Sequence, residues 1–437
     1  MKSIWTDTGH LPYFPPLRGK TKADILVIGG GMAGLLIAWL LKQEGFDCVV
    51  AEANTIASGT TANTTAKITA QHGLIYHRLL ESLGLDQAKL YLQANLQGLE
   101  QLRRLADNID CDFQNQPHTI YSVEDSAILE RELSALKQLG YPAELVTDLP
   151  LPMETAGGIR FPHQAQFHPL KFLDAIAQDL TIYENTRIRS LSGLTALADH
   201  GSISAGQIVI ATHFPFPRTA GGYFAKLYQQ RSYAIALENA PRVDGMYLGT
   251  PPDGLSFRMA GDRLILGGGG HRTGKDGGGW QVLEDFARVH YPDARITHRW
   301  AAQDCMSLDQ IPYIGPFRSR TPGIYVATGF NKWGMTTSMA AAMLLRDQIL
   351  GKPSPYSELF SPARSVLHPQ LWVNLGEAVG NYLSLSPRRC PHLGCALQWN
   401  AQERSWDCAC HGSRFDSQGK LLDTPAQKSR EPDSGHP

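Results

Sequence analysis

Two thiols and two imidazoles stand at spacings that metal chemistry uses. Cys390-Pro391-His392 reads C-x-H, and Cys408-Ala409-Cys410-His411 reads C-x-x-H. Each half offers one thiolate and one imidazole from a short stretch of chain. Together Cys390, His392, Cys408 and His411 form a Cys₂His₂ donor set, which suits a zinc ion or a [2Fe–2S] cluster with mixed ligands. Two more cysteines, Cys395 and Cys410, lie one in each stretch, whereas Cys48, Cys111 and Cys305 stand alone. A secreted disulfide framework would spread cysteines evenly. Crowding beside histidines reads as a metal site in an intracellular, cytoplasmic protein.

A second constellation binds phosphate by backbone. Gly29-Gly30-Gly31-Met32-Ala33-Gly34 supplies G-x-G-x-x-G between an apolar run, Ala23–Ile28, and a helix-forming run, Met32–Glu44. Gly29 permits the tight turn, Gly31 admits a pyrophosphate, and Gly34 lets helix and strand pack closely. The helix N-terminus adds unpaired N–H groups and partial positive charge. Glu52 closes a second β-type run, Phe46–Glu52, where a carboxylate can accept from both ribose hydroxyls. An acid here favours FAD or NAD over NADP. The hydroxyl-rich stretch Ile56–Lys67 suits a chain lying along an extended cofactor.

These residues need a scaffold, and its pieces are visible. The strand–helix–strand over 23–52 is one βαβ unit, with Gly45 ending the helix. Helical spacing predicts amphipathic helices over 86–105 and 125–139. Gln207–Thr212 and Ile324–Gly329 read as buried strands, and a helix follows from about Ser338 to Leu350. Arg263–Leu266 reads as a strand ended by a tight turn at Gly267–Gly270. The Pro/Ser-rich stretch after Gly351 reads as a connector. The most apolar stretch, Ile25–Leu41, is short for a membrane span and glycine-rich, so no span is expected.

Composition bounds the partners. The 437 residues carry 40 Lys+Arg against 41 Asp+Glu, for a net charge of −1. Without a basic stripe, nucleic acid is not an expected partner. The length implies more than one domain.

The N-terminal 350 residues resemble the family of FAD-dependent amine oxidoreductases that includes D-amino-acid, glycine and sarcosine oxidases. The resemblance rests on Val27–Gly34, Glu52, Ser58–Lys67, Ile208–Thr212, Trp300 with Asp309–Gly315, and Ala327–Met335. It implies FAD, a two-domain fold and hydride removal from a carbon bearing an amine. Carried over by position, Gly29, Gly31, Gly34 and Glu52 would hold the ADP half. Thr60, Thr61 and Lys67 would lie near the ribityl chain and ring. Gly329 to Met335, including Gly334, would wrap the pyrimidine end. Relatives often place Arg five residues before the position of Asp309; this chain has Asp304 there. Lys332, where some relatives carry a second Arg, is the candidate substrate or flavin contact. Arg258, His271 and Arg272 read as surface or turn residues. Cys305 reads as a buried small hydrophobe rather than a flavin attachment point.

The strings CPHLGC and CACHGSRF resemble respiratory Rieske proteins. That resemblance implies a [2Fe–2S] cluster with Cys390 and Cys408 on one iron and His392 and His411 on the other, and a bridging Cys395–Cys410 disulfide. A structural zinc remains the competing metal. The module is short: only Trp372–Arg389 precedes the first metal loop.

The expected architecture is therefore α/β. A Rossmann-type FAD-dependent oxidoreductase spans 22–352, with FAD-binding parts near 22–100, 165–215 and 300–352. An interleaved α+β substrate domain takes about 101–164 and 216–299. A linker, 353–371, leads to a small all-β Rieske-like domain, 372–427, and a disordered tail, 428–437. The expected function is oxidation of a small-molecule amine or amino-acid-like compound by hydride transfer to FAD. Electrons would then pass singly through the cluster to an external acceptor, protein or quinone. The alternatives are a non-catalytic redox or iron-responsive protein and a flavoenzyme with a zinc knob.

Overall fold

The βαβ unit forms where the glycine pattern requires it. In the computed structural model, which describes residues 2–217, 220–250, 254–384 and 386–430, strand Gly19–Ile28 leads through the glycine turn into helix Met32–Gln43 and then strand Cys48–Ala51. The first strand is buried on both faces. Ile25 and Val27 enter one core with the helix, while Leu26 and Ile28 enter another on the far side. That double burial explains the unbroken apolar run.

Around this unit an eight-stranded sheet is laid in the order Tyr313–Pro316, Ile324–Thr328, Gly201–Ile210, Gly19–Ile28, Cys48–Ala51, Thr181–Tyr183, with the hairpin Ile188–Ser192/Thr195–Ala198 on the Gly201–Ile210 strand. Four of the five pairings along this order run parallel, and the Tyr313–Pro316 edge pairs antiparallel. Helices Met32–Gln43, Tyr76–Ala106 and Gly334–Ile349 contribute to the core on one face. Helix Tyr76–Ala106 includes the expected 86–105 segment and bends at Gly84, whose φ is +79°. Gly98 allows its close approach to Gly334–Ile349: a Cβ there would stand 2.6 Å from the Thr336 carbonyl oxygen.

A nine-stranded mixed sheet forms the second layer system, from Arg295–Ser307 through Leu227–Glu238 and Arg263–Arg272 to Gln114–Ser122, Gly157–Gln166 and Lys67–Ile68. The Arg295–Ser307 strand crosses the expected border at residue 300, and its Gln303 carbonyl accepts from Thr60 Oγ1. The Gly267–Gly270 run is not a tight turn. Strand Arg263–Arg272 continues through it, pairing Gly267 with Ala234 and Gly268 with Tyr233. Its glycines serve close packing instead. A Cβ on Gly269 would lie 2.3 Å from the Gly279 carbonyl oxygen, at the start of helix Gly279–His290.

The connector after Gly351 is packed. Phe360 is buried and its carbonyl accepts from Ile314 N–H at 2.8 Å, while Arg364 grips Asp309 with two nitrogens at 2.7 and 2.8 Å. A helix, Pro369–Leu383, then precedes an antiparallel four-stranded sheet, Leu397–Asn400, Ser405–Cys408, Arg414–Asp416 and Leu421–Asp423. The helix turns Trp372, Val379, Tyr382 and Leu383 to the exterior. No helix among the described residues is long and apolar enough to cross a membrane. The expected tail, 428–437, lies outside the described residues from 431 onward.

Gly269 has a φ of +58° and no room for a side chain. Gly269→Ala is therefore expected to destabilise the protein by about 2 kcal/mol, read as a lower denaturation midpoint at unchanged slope.

Candidate functional site

The glycine turn is built to receive a dinucleotide. Gly29 sits at φ +112°, and a Cβ there would meet the Ala211 carbonyl oxygen at 2.5 Å. A Cβ on Gly34 would stand 1.8 Å from the Gly29 carbonyl oxygen, so helix and strand touch there. At Gly31 the nearest atom to a Cβ would be Thr61 Oγ1, at 3.4 Å. Thr61 Oγ1 accepts from Met32 N–H at 3.1 Å, placing a hydroxyl against the helix N-terminus. Glu52 lies just past its strand, and its carboxylate accepts from Gly30 N–H at 2.7 Å and Asn54 N–H at 2.8 Å. Burial pushes the Glu52 carboxyl up, and those N–H groups oppose the rise.

The far end of the cradle is assembled from distant segments. Gly329, Asn331 and Lys332 adopt left-handed φ values of +73°, +52° and +72°. Asn331 pins this turn: its Oδ1 accepts from Ser307 N–H at 2.8 Å and its Nδ2 donates to the Gly329 carbonyl at 2.6 Å. The turn delivers helix Gly334–Ile349, with Met335 buried in its first turn. The sequence signal from Ser338 missed this first turn, because Gly334 and two threonines are weak helix formers. Lys332 is exposed, and its Nζ lies 3.5 Å from where a Cβ on Gly270 would be.

Between these ends lies a buried polar group. Thr60 Oγ1 donates to the Gln303 carbonyl at 2.9 Å. Lys67 is buried and reaches the second sheet, donating to the Tyr247 carbonyl at 2.6 Å and Ser256 Oγ at 2.5 Å. Burial, then nearby Arg258, pushes its amine well below the usual lysine range. Arg258 is a buried brace: its guanidinium donates to the carbonyls of Thr65 and Ala66 at 2.8 and 2.9 Å. His72 stacks on Trp333, centroids 4.9 Å apart, and meets Tyr91 Oη at 2.7 Å. His118 meets Thr69 Oγ1 at 3.3 Å, and its Nε2 is buried with no hydrogen-bond partner among the described residues. Cys305 is buried beside Thr328 Oγ1 at 3.7 Å, and burial pushes its thiol up to about 12, consistent with an inert packing role. Asp304 accepts from Ser232 Oγ at 3.0 Å.

The C-terminal module brings its donors into two matching loops. Cys390 N–H donates to the Cys395 carbonyl at 2.8 Å, and Cys408 N–H donates to the Ser413 carbonyl at 2.9 Å. Each loop is then closed by a glycine N–H, Gly394 to Cys390 and Gly412 to Cys408. Both glycines are left-handed, at φ +81° and +83°. The rings of His392 and His411 meet at 4.9 Å, nearly perpendicular. All four cysteines and both histidines are buried. His411 Nδ1 has no hydrogen-bond partner among the described residues. Hydrogen bonds from Cys390, Cys395 and Cys410 hold the Cys408 thiol well below the usual range. Buried soft donors gathered without a carboxylate, with an imidazole nitrogen left open, fit an iron–sulfur group. The sulfurs of Cys395, Cys408 and Cys410 lie within 4.8 Å of one another. All seven cysteines are free thiols, Cys395 and Cys410 included.

The module is seated on the rest of the chain by groups that sequence reasoning missed. Gln303 Nε2 donates to the Gly412 carbonyl at 2.8 Å, and Thr273 Oγ1 donates to Gln303 Oε1 at 3.1 Å. Gly412 and Gly274 are close-approach points; a Cβ would meet Gln229 Cγ at 2.2 Å in one case and Ala409 N at 2.4 Å in the other. Arg272, read from sequence as a surface residue, donates to the Ala409 carbonyl at 3.1 Å. His271 meets Tyr233 Oη at 2.9 Å. Glu403 pairs with Arg231 and, at 2.7 Å, with Arg414, all of them buried, and accepts from Tyr233 Oη at 2.9 Å. Phe214 packs edge-on against both cluster-loop histidines, each centroid 6.3 Å away. Arg231 and Glu403 are 172 residues apart, so no local pattern announces them.

A parallel-sheet dinucleotide cradle, a second sheet facing it and a paired Cys/His-loop module define a two-cofactor redox protein. Residues 24–348 match the FAD dependent oxidoreductase family and residues 370–432 match the Rieske [2Fe-2S] domain. The chain belongs to the FAD-dependent oxidoreductase family and carries a C-terminal Rieske domain; its cofactors are FAD and a [2Fe–2S] cluster. It is 33% identical to YhfW of Bacillus subtilis, named as a Rieske 2Fe-2S iron-sulfur protein, over 98% of this chain and 96% of the relative. Its fold resembles glycine oxidase from Geobacillus kaustophilus, with a TM-score of 0.66 at 19% identity, covering 79% of this chain and all of that one. L-Proline dehydrogenase from P. horikoshii matches with a TM-score of 0.66 at 18% identity, covering 80% and 98%.

His72 yields a pH expectation. Burial holds it down to about 3 against an ordinary 6.5, so between those values the unfolded chain binds the extra proton. Stability is full above about pH 6.5 and falls as pH drops toward 3. His118, lowered by burial and by Lys67 and His72, acts in the same direction. A His72→Gln variant is expected to show a shallower fall of melting temperature from pH 6.5 to 4.5 than the parent, measured by calorimetry.

Proposed function

We propose that the protein dehydrogenates the C–N bond of a small amino-acid-like molecule and passes the electrons through the Rieske domain to an external acceptor. When bound, FAD supplies hydride acceptance and the cluster supplies one-electron transfer. The observation that carries this reading is the seam. Thr60, in the segment assigned to the flavin, holds the Gln303 carbonyl, and the Gln303 amide holds Gly412, next to His411. One buried residue thus touches both cofactor segments.

In this reading Gly29, Gly31, Gly34 and Glu52 hold the ADP half, and Glu52 orients the ribose. Thr60 and Thr61 fix the segment that runs along the ribityl chain. The turn Gly329–Met335 would hold the pyrimidine end of the flavin, and the N-terminus of helix Gly334–Ile349 would supply N–H groups suited to negative charge there. Lys67 braces the wall beside the ring. Lys332 contacts the substrate, and Asp304 places a carboxylate where an arginine would grip an anionic substrate. That inversion favours substrates carrying an additional amine or a neutral end. Cys390, Cys408, His392 and His411 ligate the cluster. Cys395 and Cys410, adjacent thiols in the two loops, form a clamping disulfide on oxidation.

An anaerobic screen of amines and amino acids tests the reading, following flavin absorbance and the EPR signal of the reduced cluster. The expected result is flavin bleaching followed by cluster reduction. Bleaching with a cluster that stays oxidised contradicts the relay. Gln303→Leu is expected to leave flavin bleaching unchanged and slow cluster reduction about tenfold, equivalent to roughly 1.4 kcal/mol of barrier.

A further inference from the structure

Where the Rieske domain meets the first sheet, a cavity of about 1410 Å³ opens. It exceeds the roughly 300–1,000 Å³ of most small-molecule pockets. Its floor is apolar, with Leu191, Leu194, Phe216, Phe317 and Ile324. Its walls are cationic. Arg187, Arg318 and Arg320 come from the oxidoreductase body, and Lys420 and Lys428 from the Rieske domain. Among the described residues the lining has one carboxylate, Asp199, which pairs with Arg189 at 2.8 Å. A chain of net charge −1 thus gathers five further cations around one opening.

The cavity is linked to the two histidine loops through one short segment of chain. Phe214 packs on both histidine rings, and Phe216, two residues on, lines the cavity. Lys420 and Leu421 lead into the strand paired with Arg414–Asp416, just beyond His411. His392 and His411 are only 4% and 5% exposed, so a partner cannot press directly on their rings. Phe216 carries the cavity lining to within two residues of Phe214, which packs on both rings.

We propose that this cavity docks the electron acceptor, and that the acceptor is a one-electron carrier protein with an acidic surface. The inference rests on the relay reading above. The reduced cluster loses one electron and the carrier gains it. Two carriers are reduced for each substrate dehydrogenated, and the two protons released go to solvent. Cations spread around a wide mouth from two domains steer an acidic surface to its docking pose and make association salt-sensitive. The apolar floor supplies contact once the carrier has arrived.

Plastocyanin, an acidic blue-copper protein, serves as probe, and basic cytochrome c as control. Calorimetric titration of the oxidised holoenzyme should show plastocyanin binding that weakens as ionic strength rises from about 0.02 to about 0.2 M. The double variant Arg318→Glu/Arg320→Glu, at exposed positions, should weaken that binding at least about tenfold. Stopped-flow mixing of dithionite-reduced holoenzyme should show plastocyanin oxidising the cluster more slowly in the variant, with the cytochrome c rate not lowered. Unchanged plastocyanin binding in the variant overturns the proposal. So does tight one-to-one binding of ADP that displaces plastocyanin, which would mark a nucleotide site. Failure of the flavin to reduce the cluster overturns the relay itself, and is distinguished because docking is read in the oxidised protein.

Discussion

The buried ion pairs around Glu403 are the constraint on which the two-domain arrangement depends. Its carboxylate is shared between Arg231 of the oxidoreductase body and Arg414 of the Rieske domain, with Tyr233 donating a further hydrogen bond. Arg414 also meets Asp407 and Asp423, at 3.0 Å each. Burying such charges costs several kcal/mol per ion unless every oxygen and N–H is engaged, and here the partners are supplied from both sides. Removing one side would strand charges on the other. The network therefore favours a single docked pose, and the glycines at 274 and 412 let the backbones close to that distance.

That fixed pose gives the rest of the seam its meaning. Gln303 can span from Thr60 to Gly412 because Arg295–Ser307 is a long strand of the second sheet that runs past both. The same strand presents Asp304 and Cys305 on successive residues. Asp304 meets Ser232, whereas Cys305 is buried against Thr328. Strand alternation thus separates a polar group from an inert thiol without any change in backbone.

The parts legible in the sequence are those written in short-range spacing. The strand–turn–helix–strand unit that ends before Glu52 could be read because its apolar runs and glycines follow one another at short range. The Rieske module could be read because its cysteines and histidines lie within a few residues of one another. The glycine run at 267–270 was misleading, since a turn and a tightly packed strand ask for the same residue and only the partner helix at Gly279 decides between them. Helix Pro369–Leu383 was hidden because its outward face is apolar, so its pattern lacks the usual polar side. Arg231, Phe214 and Gln303 were invisible as functional residues. They are ordinary strand and loop residues until a segment far along the chain arrives beside them.

The two histidine rings of the cluster loops face Phe214 and lie almost wholly out of solvent. An iron–sulfur head carried on a loose tether can commute between donor and acceptor; under the proposed relay, one seated by the shared Glu403 ion pairs would serve as a fixed terminal. Under the proposed ligation that insulation would shelter the cluster edge from dioxygen and stray oxidants, and would leave the travelling to whatever molecule collects the charge.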